Sequence, residues 1–431
     1  MVPFKESKVD VLICGAGSAG TNAAIAAAEC GASVRVIDQN SFFGGTLVSG
    51  ITGGFCGIYA AKKGPQDIPE LTVGGVGRRI LEEMEKRGGL SPISVTPMFN
   101  TRRYDSCVLQ LVYDRLVMAS GARPLLHSTI IDAEARDGVV EFVEISNKSG
   151  RERIYPRFVV DATGDADIVY MTGGEYRKKA DELQPASFNF RVSGVDASCP
   201  IPNLPQLEKE IAEIKSKIGN LGFSREDPMF LQAPDYGRET VCCFSRIAVD
   251  ATDAEALTAA EIAGRAEVMP TLEFIQEHFP AFQNAHLSGL PSHIGVRETR
   301  VIVGEDILTK EDVVEGRRRT DGIGRCGWPV ERHIAGRPKS ELIPVSGEAM
   351  YYDIPFGAMI PKGYHNLLVA GRAVSSDRSA NASVRVFGPC AEMGQAAGTA
   401  AYLFVKNGCR SVRQLDIQQL RETLVQNGAL V

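Results

Sequence analysis

The most constraining stretch of the chain lies near its start. An apolar run, Val9-Asp-Val-Leu-Ile-Cys14, leads into Gly15-Ala-Gly-Ser-Ala-Gly20. An alanine-rich segment to Cys30 follows, then Gly31-Ala32, then a second apolar run, Ser33-Val-Arg-Val-Ile-Asp38. Strand, glycine turn, helix, glycine stop and strand make one βαβ unit of about 30 residues. The first glycine permits the tight turn, the second lets a pyrophosphate approach the backbone, and the third lets helix pack on strand. The helix begins there with free N–H groups and partial positive charge. Asp38 ends the second strand, where its carboxylate can accept from a ribose 2′-hydroxyl and would repel a 2′-phosphate. That chemistry suits FAD or NAD better than NADP.

A chain of 431 residues leaves room for more than this unit. At about 150 residues per domain, two to three domains are expected. With 44% hydrophobic and 23% charged residues, disorder and collagen-like structure are excluded. The net charge of −6 and the lack of a basic stripe, beyond Arg317-Arg318-Arg319, argue against a nucleic-acid partner. The ten cysteines contain no C-x-x-C pair, so neither a zinc site nor a disulfide framework is expected. A reducing, cytoplasmic setting follows from that reading. No apolar run reaches the roughly 18 residues of a membrane-spanning helix, and the strand pattern by Val9 leaves no room for a signal peptide.

Along the chain, residues 41–80 are rich in glycine and read as loops folded over something. Helical periodicity covers 104–120, and short strands are expected at 123–128, 130–135 and 139–146. Phe158–Ala162 is an apolar strand. From 176 to 350 the character changes, with frequent proline and helices near 205–218 and 254–278. The first pattern resumes at Tyr351, with a strand at 366–370 and a helix from about Ala391 to Lys406. The expected fold is therefore α/β, with a discontinuous nucleotide-binding domain (1–175 and 351–431) and an inserted α+β substrate or cap domain (176–350).

Three later segments carry a resemblance. Phe158-Val-Val-Asp-Ala-Thr-Gly-Asp-Ala-Asp167 resembles the second FAD segment of the glutathione-reductase-type flavoprotein fold. Ile354-Pro-Phe-Gly-Ala-Met-Ile-Pro361 with Asn366-Leu-Leu-Val-Ala-Gly-Arg372 resembles the third, and Cys390-Ala-Glu-Met-Gly-Gln-Ala-Ala-Gly398 completes it. With Gly295-Val-Arg-Glu-Thr-Arg300, these segments are similar to the FAD-dependent oxidoreductase family, over most of the chain. The resemblance implies a Rossmann-type FAD-binding domain. Together with the glycine turn it marks a cofactor set of Gly15, Gly17, Ser18, Ala19, Gly20, Asp38, Gln39, Gly45, Thr46, Ile131, Ala162, Thr163, Gly164, Asp165, Gly371, Arg372, Arg385, Ala391, Gly394 and Gln395. It also implies that the helix near Ala391 points its N-terminus at the flavin pyrimidine ring, where its dipole stabilises negative charge on the reduced flavin.

The expected chemistry follows partly by exclusion. Disulfide reductases of this fold carry a cysteine pair soon after the Gly-Gly that follows the second strand; here Gly44-Gly45 runs into Thr46-Leu-Val-Ser-Gly50. A second dinucleotide fingerprint is absent. The expectation is hydride transfer between flavin N5 and a small polar or anionic organic substrate, with oxygen or a diffusible carrier as the other electron partner. His333 is a candidate proton acceptor or donor, because histidine titrates near neutrality, and Tyr352 is its rival. Arg297 and Arg385 are candidate substrate clamps, since a guanidinium binds carboxylate through a planar fork. Arg297 and Arg300, three apart, are expected on one helix face. Cys56, in Gly53-Gly-Phe-Cys-Gly57, is a candidate for redox work or flavin attachment. Two rival readings stand beside this one: a flavin-binding electron-transfer subunit, and a thiazole-synthase-like enzyme that uses a dinucleotide. A homo-oligomer is a common default for such enzymes.

Overall fold

The computed structural model describes residues 4–60, 69–95, 100–232, 239–337 and 339–431. Its organising strand is Phe4–Cys14, which pairs in parallel with Val34–Ile37 on one side and Gly150–Asp161 on the other. Val34–Ile37 pairs in turn with Arg123–Leu125, also in parallel. Gly150–Asp161 is long enough to serve two neighbours on its far edge. Its end pairs in parallel with Leu367–Val369, and its beginning pairs antiparallel with Val139–Asn147, which continues into Thr129–Arg136. The sheet is thus a parallel core extended by an antiparallel hairpin.

Val11 and Ile13 face one apolar cluster and Leu12 and Cys14 another, which explains the unbroken apolar run. The first cluster contains two stacked helices, Ser18–Cys30 and Phe387–Asn407. Their approach is close: a Cβ on Gly394 or Gly398 would lie 2.2 Å from the Ala19 or Ala23 carbonyl oxygen. The long helix begins four residues before the expected Ala391. Pro389 falls in its first turn, where no N–H is required, so it opens the helix rather than preceding it.

A second sheet has the antiparallel order Met229–Gln232, Glu239–Cys243, Phe190–Ser193, His286–Gly289. Helices Leu204–Ile218, Ala254–Ala266 and Val268–His278 accompany it. Its own apolar cluster runs from Ala186 to Ile294 and includes Phe230, Phe244, Phe274 and Phe282. Leu308, Val313, Ile323, Trp328, Val330 and Val345 belong instead to the cluster of the first sheet. The segment 176–350 therefore contributes to both cores.

Among the described residues, 41–80 differ from the loop expectation in three places, one of them the short strand Gly54–Phe55. Thr46–Ser49 forms a short helix, and Gly75–Glu85 forms a longer one that buries Val76, Ile80, Leu81 and Met84. The glycines at its start hide the periodicity that follows.

Candidate active site

At the glycine turn, the three glycines answer to three different constraints. Gly15 has φ +95°, and a Cβ there would meet the Ala162 carbonyl oxygen at 2.5 Å. A Cβ on Gly20 would lie 1.8 Å from the Gly15 carbonyl oxygen. Both are demands of the fold. Gly17 is different: its φ of −70° suits any residue, and a Cβ there would come only within 4.0 Å of the Gly45 Cα. The helix it opens has neither a side-chain cap nor an acidic residue in its first turn. Open space beside uncapped N–H groups is what a pyrophosphate requires.

Asp38 directly follows the second strand, beside the glycine turn. One carboxylate oxygen accepts from the Ala16 N–H at 2.6 Å, and the other from the Asn40 N–H at 2.8 Å and its side-chain amide at 2.9 Å. The carboxylate thus lies against the turn with lone pairs to spare. Gly44 hydrogen-bonds Ala16 and Gly45 abuts Gly17, so the second glycine pair closes on the first. Thr46 follows, in contact range of Gly295. Ser18 and Ala19 form the first turn of the helix, and Gln39 is exposed beside Asp38.

The second and third segments are cross-braced. Arg372 donates to the Gly164 carbonyl at 2.7 Å, the Asp165 carboxylate at 2.7 Å and the Val296 carbonyl at 3.2 Å. Asp165 also accepts from Thr299 at 2.6 Å. Thr163 hydrogen-bonds Asp161, whose carboxyl burial raises to about 6, and Ala162 bonds the end of the first strand. Gly371, at φ +104°, faces Ala19. These bonds tie the second and third segments to one another and to residues 296–299.

Four expected contacts are placed elsewhere. Ile131 is exposed at a register shift of the antiparallel hairpin. Gly394 packs on Ala19, Ala391 on Gly77, and Gln395 accepts from the Val76 N–H at 2.9 Å. All three of these face neighbouring helices, as the stacking of the long helix dictates.

A cluster of polar side chains gathers where the second sheet meets the start of the long helix. Asp227 accepts from Arg225 at 2.9 Å and from Arg246 at 2.8 Å. Ser340 Oγ lies 3.2 Å from Asp227 and 3.0 Å from His333 Nδ1, and Arg246 Nη2 lies 3.4 Å from the same Nδ1. Arginine only donates, so Nδ1 is assigned as acceptor and the ring proton to Nε2. That nitrogen faces Glu331 Oε1 at 3.5 Å. Burial and the Arg297 charge push His333 down to about 3, outweighing Glu331. Burial alone would raise Glu331, yet His333, Arg385 and Arg297 pull it down to about 2. Burial, then the neighbouring Arg385, push Arg297 down to about 9.

Of the expected catalytic residues, His333 and Arg297 are brought together, with Arg385 beside them. His333 is neutral and far from its free pKa, because the cluster is buried and positively charged. Tyr352 is not among them. It is fully buried in the core, its hydroxyl 2.9 Å from Ser383 Oγ, and burial pushes its pKa well up. Arg297 and Arg300 share no helix: Arg297 binds the Pro185 carbonyl and Ser187, whereas Arg300 binds Asp167 at 2.9 Å and stacks on Tyr170. Burial pushes the Cys56 thiol up to about 12, which leaves it unreactive. Glu331, Gln184, Asp227, Arg246 and Ser340 carried no signal, except that Glu331 sits two residues before His333, on the same side of an extended chain.

Among the described residues, no helix is long and apolar enough to cross a membrane. The fold is similar to a geranylgeranyl bacteriochlorophyll reductase-like protein from Thermoplasma acidophilum, at 11% identity, over 98% of this chain and 85% of that one, with a TM-score of 0.48. It is similar to p-nitrophenol 4-monooxygenase from Pseudomonas putida at 10% identity, over 98% and 85% of the two chains, with a TM-score of 0.47. A THI4 protein from Thermovibrio ammonificans matches 38% of this chain and 61% of its own, at 20% identity and a TM-score of 0.28. None of the curated proteins matches the chain in sequence. Residues 10–424 match the family model described as FAD dependent oxidoreductase. The chain belongs to the FAD-dependent oxidoreductase family, an enzyme family with FAD as its cofactor.

Proposed function

We propose that the chain is a glutathione-reductase-type flavoenzyme that exchanges a hydride with a small polar or anionic organic substrate. FAD, when bound, supplies the redox centre at N5. The observation that carries this reading is the buried cluster of Arg297, Arg385, Glu331 and His333 beside the start of the long helix. Residues 1–175 and 351–431 form the cofactor domain in this reading, and 176–350 shape the substrate pocket. The first-turn N–H groups after Gly17 hold the pyrophosphate, and Asp38 holds the ribose. Arg297 and Arg385 orient the substrate. Glu331, held ionised, takes the substrate proton, and His333 positions it as a neutral hydrogen-bond donor. No cysteine pair and no second dinucleotide fingerprint accompany the cleft, so the organic substrate is one electron partner and oxygen or a diffusible carrier the other.

The test is an anaerobic screen of small organic acids and alcohols, read by bleaching of the flavin absorbance. Bleaching by a small organic acid supports the reading. Bleaching by reduced nicotinamide alone, with every organic compound silent, contradicts it.

A further inference from the structure

We infer that His293 is a positioning residue for the adenosine end of the cofactor: through Asn40 it orients the Asp38 carboxylate toward the ribose 2′-hydroxyl. The inference rests on the reading of Asp38 as the ribose acceptor.

The three side chains form one chain of hydrogen bonds. His293 Nε2 lies 2.9 Å from Asn40 Oδ1. Asn40 Nδ2 donates to Asp38 Oδ1 at 2.9 Å, and the Asn40 backbone N–H donates to the same oxygen at 2.8 Å. A carboxylate only accepts, so Asn40 must turn its NH₂ toward Asp38 and its oxygen away. That oxygen then needs a donor. His293 supplies it, which assigns the ring proton to Nε2. A flipped amide would set oxygen against carboxylate and NH₂ against the ring N–H. With His293 in place, Asn40 occupies Asp38 Oδ1 from two directions. The other oxygen, Oδ2, accepts from the Ala16 N–H of the glycine turn at 2.6 Å. Asp38 and Asn40 are only half-buried, so the carboxylate so oriented stays accessible.

His293 reaches this place from another part of the fold. It follows His286–Gly289 of the second sheet, and its side chain is exposed. The backbone on either side of it is nevertheless pinned. The Ser292 N–H donates to the Ser49 carbonyl at 2.9 Å, and the Ile294 N–H to the Glu261 carboxylate at 2.6 Å. Gly295 and Ser187 exchange two backbone bonds, at 2.8 and 3.2 Å. Ser49 ends the short helix that follows Gly44-Gly45, the pair that closes on Gly17. Residues 292–295 therefore tie the second core to the limb that runs from Asp38 to Gly50. A hydrogen bond facing solvent adds little to stability, because water replaces it. Its effect here is geometric: a fixed imidazole locks the amide, and the locked amide holds the carboxylate.

The test compares FAD with its analogue carrying 2′-deoxyribose in the adenosine half. Each loaded protein is diluted, and the rise of flavin fluorescence at equilibrium gives the affinity. Wild type should hold FAD about tenfold or more tighter than the analogue. His293→Ala should weaken FAD about threefold to tenfold and leave the analogue within about twofold. The analogue thus serves as the control for folding. His293→Gln, whose amide can donate to Asn40, should regain part of the loss. Asn40→Ala should weaken FAD at least as much as His293→Ala. Adding His293→Ala to it should cost nothing further, because the two side chains act in series. Equal retention of FAD and analogue by wild type overturns the reading of Asp38, and the inference with it. Discrimination that survives intact in His293→Ala overturns the inference alone. So does an equal loss of both ligands in that variant, since the histidine then supports the fold rather than the ribose site.

Discussion

The atom closest to the Cβ that Gly17 lacks is the Gly45 Cα, 4.0 Å away. Gly17 is therefore free of protein contacts that would demand a glycine, in contrast to Gly20, whose Cβ would press on the Gly15 carbonyl at 1.8 Å. Gly17→Val should change stability by about 1 kcal/mol or less, while lowering FAD retention about tenfold or more. Gly20→Ala should unfold the domain. Flavin-to-protein absorbance and thermal melts of the two variants distinguish a cofactor glycine from a packing glycine.

His333 supplies a pH signature. Its folded pKa, about 3, lies below the free value near 6.5, so between those limits the unfolded chain binds more protons than the folded one. Stability is fully present above pH 6.5 and is lost as pH falls toward 3. Between pH 7 and pH 4 this amounts to roughly 3 kcal/mol at most. His333→Asn should flatten that part of the urea-melt profile. The rate of flavin reduction should show no inflection near pH 6.5 that His333→Asn removes.

Glu392 has the opposite dependence. Burial raises it to about 8, although one oxygen accepts from the Gly74 N–H at 2.8 Å; the other oxygen is buried without a partner. The folded state keeps its proton while the unfolded state loses it above about pH 4.5, so stability declines as pH rises through 8. Glu392→Gln should gain a few kcal/mol relative to wild type at pH 8 and little at pH 4. Denaturant melts at the two pH values measure the difference.

Tyr352→Phe removes only the hydroxyl that meets Ser383 in the core. It should cost about 1 kcal/mol of stability. Its flavin reduction rate should stay within about threefold of wild type, because the phenol does not join the Arg297–Glu331 cluster; a loss of about 100-fold would restore it as the proton carrier.

Sequence and structure agree where function and local geometry coincide. The βαβ start was legible because a strand, a glycine turn and a helix are written consecutively from Val9 to Asp38. The Arg297–His333 cluster was legible only in part. Arg297, His333 and Arg385 could be proposed from residue chemistry, but Arg246 reaches His333 from a distant segment and is held by Asp227, and Ser340 folds back onto His333 seven residues on, and no periodicity records that. Gly394 and Gln395 show the reverse. The glycine spacing near the long helix fits a cofactor motif, yet its physical cause is the close stacking on Ala19 and Ala23. A residue's own neighbourhood in sequence does not say which of two faces it serves.

The central claim is that a bound FAD exchanges electrons directly with a small organic acid held at the Arg297–Arg385 cluster. Anaerobic stopped-flow mixing of the FAD-loaded protein with each organic acid that binds tests it most directly. The account predicts that at least one such acid bleaches the flavin in a single turnover, and that Arg385→Gln abolishes the bleaching while retaining FAD. Flavin that stays oxidised with every bound acid, and is reduced only by a partner protein or a nicotinamide, would contradict it.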